Sequence, residues 1–201
     1  MGLPSSLLLA AILFAVAALG HARLRIGSTR VRLFAAPRGR AASGVRYAFT
    51  TAFLPWAKES ARGHLPSYLA GIVYHAGIFL MLACLALSLT PLAPSRPVAI
   101  ALAVLFGAAL ASGLGLLAKR RSDPGLRALS VPDDLVSNLL VDAALAGALA
   151  TAVAPAALPA FQLIGAALLC YAPLGKLRHM LFLLTSRRLW GAYYGRRGVL
   201  P

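Results

Sequence analysis

The stretch YLAGIVYHAGIFLMLACLALSL, residues 68 to 89, decides the fold class of this chain. It contains one histidine, His75, and no Asp, Glu, Lys or Arg. An α-helix needs about 20 apolar residues to cross the roughly 30 Å hydrocarbon core of a membrane, so the stretch predicts a transmembrane helix. The composition agrees, because a chain of 201 residues with 60% hydrophobic and only 12% charged residues is not typical of a soluble globular protein.

Four further apolar runs flank this stretch, which gives an all-α membrane protein with five transmembrane helices in one integral membrane domain over residues 1 to 201. The five predicted helices are at about 4–20, 68–89, 97–118, 134–153 and 157–184. The second and fourth connections are short and rich in proline, which predicts antiparallel neighbours in a bundle. The first run resembles a secretory signal peptide, but its uncharged start, MGLPSS, favours an uncleaved helix.

The net charge of +15 follows the predicted topology. Seventeen Lys and Arg residues fall in the segments on one side of the membrane, and only Arg96 falls in a loop on the other side. Because positively charged loops stay in the cytoplasm, this predicts an external N-terminus and a cytoplasmic C-terminus. The charge therefore gives no reason to expect a nucleic-acid partner.

The long connection between the first two predicted helices, residues 21–67, is predicted to be a basic cytoplasmic loop. Its first half is too basic and too rich in Gly and Pro for a packed core, and its second half, YAFTTAFLPWAKES, places aromatic residues as at a membrane interface. Two interpretations stay open. The loop either contacts anionic lipid headgroups or forms a docking surface for a cytoplasmic partner.

Two histidines lie at matching depth in different predicted helices. His75 lies seven residues after Tyr68, the cytoplasmic end of the second helix, and His179 lies seven residues before Ser186, where the fifth predicted span meets the cytoplasm. At a rise of about 1.5 Å per residue, both lie about 10 Å deep. Ionisable residues in a span are candidate functional residues, and such a pair suits bis-histidine ligation of a haem iron.

Glycines four residues before each histidine, Gly71 and Gly175, are consistent with haem ligation. A helical side chain leans over the position four residues earlier, so a glycine there leaves space for a porphyrin. The alternatives are that these glycines only help helices to pack and that each histidine hydrogen-bonds between helices.

Other polar residues complete the candidate set. Asp142 and Lys176, both deep in predicted helices, are expected to form a charge pair. A proton path or a quinone hydrogen bond at Asp142 is the alternative. The favoured interpretation of His64 is an interfacial residue, and lining a quinone entrance is the alternative. Arg178 and the KRR cluster at 119–121 are candidate contacts for haem propionates.

Three stretches resemble a known family. YHAGIF at 74–79, LLAKRRSDPGLRALSVPDDLVSNLLV at 116–141 and APLGKLRHMLFLL at 172–184 resemble the gamma subunit of respiratory nitrate reductase. They are also similar to the cytochrome b subunits of Dsr and heterodisulfide-reductase-like membrane complexes, and PWAKES at 55–60 resembles the Dsr-like branch most. The resemblance covers about residues 68 to 190.

The resemblance implies a five-helix subunit in a prokaryotic cytoplasmic membrane, with haem b ligated from the second and fifth helices. His75 and His179 match the ligands of the haem nearer the cytoplasm. The nitrate-reductase subunit binds a second haem through two more histidines, but this chain has Leu85 and Phe161 at those positions. It therefore looks like a one-haem member, and any outer quinol site of the family is not carried over.

The predicted function is electron transfer between the quinone pool and a cytoplasmic iron–sulfur or catalytic subunit, resembling heterodisulfide-reductase-like or nitrate-reductase-like partners. The sequence contains no phosphate-binding glycine loop, thiolate cluster or nucleophile triad, so terminal chemistry is assigned to the partner. A different hypothesis is a haem-free membrane anchor or small transporter subunit with a polar relay through Asp142, Lys176 and His179.

Overall fold

The computed structural model describes residues 2–27, 36–57 and 59–200, and over these residues the chain is all-helical without a strand. The helices are α1 (Leu3–Gly27), α2 (Ala41–Phe49), α3 (Glu59–Gly63), α4 (Leu65–Leu87), α5 (Arg96–Ser122), α6 (Pro124–Ala128), α7 (Pro132–Val153), α8 (Leu158–Tyr171) and α9 (His179–Arg196). Single 3-10 turns occur at Thr51–Phe53, Pro55–Ala57, Pro155–Ala157 and Lys176–Arg178. The all-α prediction is confirmed. The part of the predicted basic loop at 28–35, together with Lys58, lies outside the described residues.

Four of the described helices are long and apolar enough to span a membrane, and they match the first four predicted spans. They cover Leu3–His21, Leu65–Leu87, Arg96–Ser122 and Pro132–Val153. Their ends lie within a few residues of the predicted ends, because the runs are bounded by charges and prolines that a helix in hydrocarbon does not accommodate. The chain therefore has the character of a helical membrane protein.

The prediction of one continuous fifth helix over 157–184 is wrong. Helix α8 ends at Tyr171 after 14 residues, and α9 begins only at His179. Pro173 has no backbone N–H to donate to the preceding turn, and Gly175 follows two residues later, so the helix stops here although the composition stays apolar. The proline and glycine of APLGK therefore end the helix, although the apolar composition on both sides favours a continuous one.

Contacts divide the chain into two compact units, Met1–Val16 with Leu69–Leu177, and Ala17–Tyr68 with Arg178–Pro201. This division leaves the prediction of a single membrane domain untested. In the first unit, α7 packs against both α5 and α8. The largest fully buried side chains of this unit are Leu8, Met81, Leu85, Phe106 and Leu145.

The outside of the first unit is also apolar. Phe79 is 63% exposed and Val104 66% exposed, and many other large aliphatic side chains point outward. Soluble monomers rarely expose contiguous apolar surface on this scale, whereas a surface in contact with lipid requires it. The arrangement therefore supports the membrane assignment independently of helix length.

The second unit is built on the pairing of α2 with α9. The two helices cross at glycines, because a Cβ on Gly44 would overlap the backbone of Gly191 and Gly195. The spacing of the α9 glycines is the small-xxx-small pattern that lets helix backbones approach closely. Arg187 strengthens the pair by donating a hydrogen bond to the Ala48 carbonyl, so its charged group is anchored within the unit.

Helix α9 continues to Arg196, beyond the predicted end at 184. It ends where Gly198 adopts a positive φ of 70°. The Val199 amide bonds to the Tyr194 carbonyl at 3.1 Å, and the Gly198 amide bonds to the Gly195 carbonyl at 3.1 Å. This is the Schellman arrangement, which satisfies the last carbonyls of a helix and favours glycine at that position.

Candidate functional site

The most deeply buried charged residue of the first unit is Asp142, which is 4% exposed. Its Oδ1 accepts a hydrogen bond of 2.8 Å from the Tyr74 hydroxyl, and its Oδ2 accepts one of 2.7 Å from the Asn138 amide. The Asn138 amide also lies 3.4 Å from the Tyr74 hydroxyl. A buried carboxyl group without partners is strongly destabilising, so these donors explain how the helices tolerate Asp142.

A glycine on α5 makes space for this cluster. A Cβ on Gly113 would overlap both Asp142 Oδ1 and the Tyr74 ring. Three helices therefore build the cluster, with Tyr74 from α4, Asn138 and Asp142 from α7, and the gap at Gly113 from α5. We name these residues the Asp142 cluster.

The predicted charge pair between Asp142 and Lys176 is wrong. Lys176 instead pairs with Asp134, with 2.5 Å between Nζ and Oδ1, and Arg120 approaches the other oxygen of Asp134 at 3.6 Å. Asp134 lies eight residues before Asp142 on the same helix, which corresponds to about 12 Å. Lys176 follows the break after α8, so its ammonium group meets the start of α7 and not its middle.

His75 is exposed on α4, and its ring is held by its own helix. Its Nδ1 lies 2.7 Å from the Gly71 carbonyl oxygen. Because a carbonyl oxygen only accepts, a hydrogen bond here requires Nδ1 to carry the proton, and in the neutral ring that tautomer has its lone pair on Nε2. Histidines that ligate metals usually donate their other ring N–H in this way, which fixes the tautomer and the ring orientation.

The space beside Gly71 suits the clearance predicted from the sequence. A Cβ added at Gly71 would meet nothing within 4 Å. His75 therefore combines an outward ring, a ring nitrogen that could ligate a metal, and an open flank on one side of α4. Those features fit one axial ligand of a haem.

The structure places His179 differently from the prediction. It is the first residue of α9, it is exposed, and it belongs to the second unit, whereas His75 belongs to the first. The depth calculated along a continuous fifth helix no longer applies, because that helix is interrupted. Pairing of the two histidines therefore stays a prediction. Arg178, just before α9, is exposed, and its predicted propionate contact also stays untested.

Gly175 lies in the turn before α9 and not in a helical turn with His179. The space next to it is filled, because a Cβ there would overlap the Tyr171 ring. The Tyr171 hydroxyl bonds to Asp133 and lies 3.0 Å from the Ser137 hydroxyl, so this ring ties the end of α8 to the start of α7. A side chain at 175 would require the Tyr171 ring to move, so glycine suits this approach. The predicted clearance for a haem at Gly175 stays untested.

His64 is exposed between α3 and α4 in the second unit. Its predicted quinone role stays untested. Within the described residues there is also no group of three or more His, Cys, Asp or Glu side chains that could hold a metal ion. A b-type haem does not need such a group, because the porphyrin supplies four ligands and the protein at most two.

Sequence reasoning missed three members of the Asp142 cluster. Asn138 stands four residues before Asp142, which is the spacing that places two side chains on one face of a helix, so this partner was predictable. Tyr74 was not predicted, because the sequence does not show that its hydroxyl faces Asp142. No sequence signal identified Gly113 among the other glycines of α5.

The side chains of Tyr74 and Asp142 should be energetically coupled through their hydrogen bond. We expect Tyr74→Phe to destabilise the chain by about 1–3 kcal/mol, since it removes a donor from a buried carboxyl group. In the Asp142→Leu background the same change should cost much less. Thermal unfolding of the four variants of this cycle in dodecyl maltoside measures the coupling, and additive costs would mean that the bond contributes nothing.

No protein-family model, curated protein or solved structure matches the chain. The class that the fold defines is therefore stated from the structure alone. Over the residues that the structure describes, it is an all-helical membrane protein with four apolar helices long enough to span, a buried polar cluster within them, and an outward histidine on α4.

Proposed function

We propose that the chain is a haem b-binding membrane subunit of a respiratory redox complex, which transfers electrons between the quinone pool and a cytoplasmic iron–sulfur or catalytic partner. The observation that carries the proposal is the 2.7 Å bond between His75 Nδ1 and the Gly71 carbonyl beside an open flank of α4. The resemblance of YHAGIF and APLGKLRHMLFLL to cytochrome b subunits supports the same assignment.

In this proposal His75 and His179 would hold the haem iron, and Arg178 would pair with a propionate. When bound, haem b supplies a one-electron carrier whose potential depends on ligands, charge and burial. His75 contributes Nε2, and its Nδ1–H bond keeps the ring in the ligating tautomer and raises its basicity. Glycine at 71 leaves the flank of the ring open.

One haem is proposed because the positions of a second ligand pair are filled by packing. Leu85 and Phe161 are 1% and 2% exposed in the first unit. The Leu85 side chain fills the space beside Gly165, and Phe161 fills the space beside Gly147. Neither position provides a ligand.

The proposed orientation has an external N-terminus and a cytoplasmic C-terminus in a prokaryotic cytoplasmic membrane, on the strength of the seventeen-to-one division of Lys and Arg. It places the partner on the cytoplasmic side. The haem-free relay through Asp142, Lys176 and His179 gains no support, since Asp142 and Lys176 bond to different residues.

Reduction of the haem by a quinol tests the redox role. Membranes that contain the chain should show b-type absorption after menadiol addition, and dithionite should add little to it. A haem reduced by dithionite but not by menadiol would contradict the link to the quinone pool. His64→Ala tests the predicted quinone site, since it should slow reduction by menadiol without lowering haem content.

A further inference from the structure

A cavity of about 280 Å³ lies in the first unit where α5 ends and α7 begins. Three arginines line it, Arg120 and Arg121 from the end of α5 and Arg127 from α6. We name it the arginine cavity. The proposed function assigns the propionate contact to Arg178, which does not line this cavity.

The turn between α5 and α7, which contains α6, brings these arginines together. The Asp123 side chain accepts a 3.1 Å hydrogen bond from the Leu126 amide and so caps the short helix α6. The Ser130 hydroxyl then bonds to the Leu126 carbonyl at 2.7 Å, which closes the turn into α7. Arg127 thereby lines the same cavity as the two arginines of α5.

The charge of the cavity is not balanced by its acidic residue. Asp134 lines it, but that carboxylate is already bonded to Lys176 and lies 3.6 Å from Arg120. Within the described part of the chain, neither Arg121 nor Arg127 forms an ion pair with a carboxylate. Both arginines are exposed and line the cavity, and among the described residues neither has a carboxylate partner there.

The remaining walls are apolar, with Leu117, Val131 and Leu135 among the lining residues. Beside the cavity, Leu129 at the end of α6 is 81% exposed. An exposed leucine next to the end of two membrane spans suits the boundary between headgroups and acyl chains. A ligand that is anionic at one end and apolar at the other matches these surroundings.

We propose that the arginine cavity binds the phosphate headgroup of an anionic membrane phospholipid, with Arg121 and Arg127 contacting the phosphate and the start of an acyl chain lying on Leu117 and Leu135. Guanidinium groups bind phosphate oxygens in a bidentate geometry, and basic pockets at the ends of membrane helices suit such headgroups. A cavity of this volume holds a headgroup and not a whole lipid.

The test compares two double variants with equal loss of charge. Purified full-length chain in an uncharged detergent is titrated with dioleoyl phosphatidylglycerol, dioleoyl phosphatidylcholine or inorganic phosphate, and bound lipid is counted by native mass spectrometry. Arg121→Gln with Arg127→Gln should weaken phosphatidylglycerol binding by about tenfold or more, since two charge-assisted contacts are lost. Lys119→Gln with Arg188→Gln, both outside the cavity, should weaken it less than about twofold.

Wild-type chain should retain one phosphatidylglycerol, and phosphatidylcholine should not displace it. Equal loss of binding in both double variants would overturn the proposal, because it would show attraction by net charge alone. Displacement by inorganic phosphate at the same concentration as lipid would overturn the lipid assignment in favour of a soluble phosphate. A loss of haem with unchanged lipid binding would assign the arginines to propionates. If the double variant does not fold, Arg127→Gln alone should weaken binding by about threefold and permits the same comparison.

Discussion

Replacing His75 with leucine should remove the b-type haem spectrum of the purified chain. The haem of a b-type cytochrome is held without covalent attachment, so loss of an axial ligand removes its principal anchor. Leucine retains the apolar character of the exposed α4 surface, and the position is not part of the buried core. We therefore expect a folded chain with haem per polypeptide at background level, measured by dithionite-reduced minus oxidised spectra and by pyridine haemochrome.

The matched comparison uses the other histidines. His179→Leu should have the same effect, because it is the proposed second ligand, whereas His64→Leu should retain the haem. Full haem content in His75→Leu would contradict the assignment of His75. Loss of haem in His64→Leu with retention in His179→Leu would show that the second ligand had been assigned wrongly.

The second large effect is expected at Gly113. An alanine there would place its Cβ against the carboxyl group of Asp142 and the ring of Tyr74, both buried. Three hydrogen bonds hold the side chains of the cluster in their present positions. If these side chains moved to make room for a Cβ, at least one of the bonds would be weakened. We expect Gly113→Ala to lower the free energy of unfolding by about 1–3 kcal/mol, with a clear drop in the thermal midpoint in detergent.

The same helix provides the controls. A Cβ on Gly107 or Gly115 would meet nothing within 4 Å. Gly107→Ala and Gly115→Ala should be neutral or stabilising by up to about 1 kcal/mol, because alanine favours the helix. If all three substitutions had the same effect, the tight approach of the cluster to α5 would be contradicted.

Much of the fold was predictable because the physics of a membrane span is local. A run such as residues 68–89 must form a helix to satisfy its backbone hydrogen bonds in hydrocarbon, and its length is set by the thickness of the bilayer. The structural helix Leu65–Leu87 accordingly lies close to that run. The break before His179 was not predicted, because the long apolar run favours a continuous helix and only one proline and one glycine indicate that it ends.

The partners of buried polar residues were less predictable, because they depend on how each helix is rotated against its neighbours. Asp142 was correctly expected to be buried, but its bond to Tyr74 joins α7 to α4 across 68 positions of sequence. Lys176 meets Asp134 only because α8 ends early. The hydrogen bond of His75 Nδ1 to the Gly71 carbonyl could likewise be found only from the structure. The sequence showed only that a glycine lies four residues before His75.

The number of haem groups per polypeptide tests the central claim most directly. Full-length chain is expressed with haem supplied, extracted in a mild detergent and purified, and haem b is quantified by pyridine haemochrome against protein by amino-acid analysis. The account predicts one haem b per chain. No haem would contradict the cytochrome assignment, and two would contradict the ligand assignment that leaves Leu85 and Phe161 as packing residues.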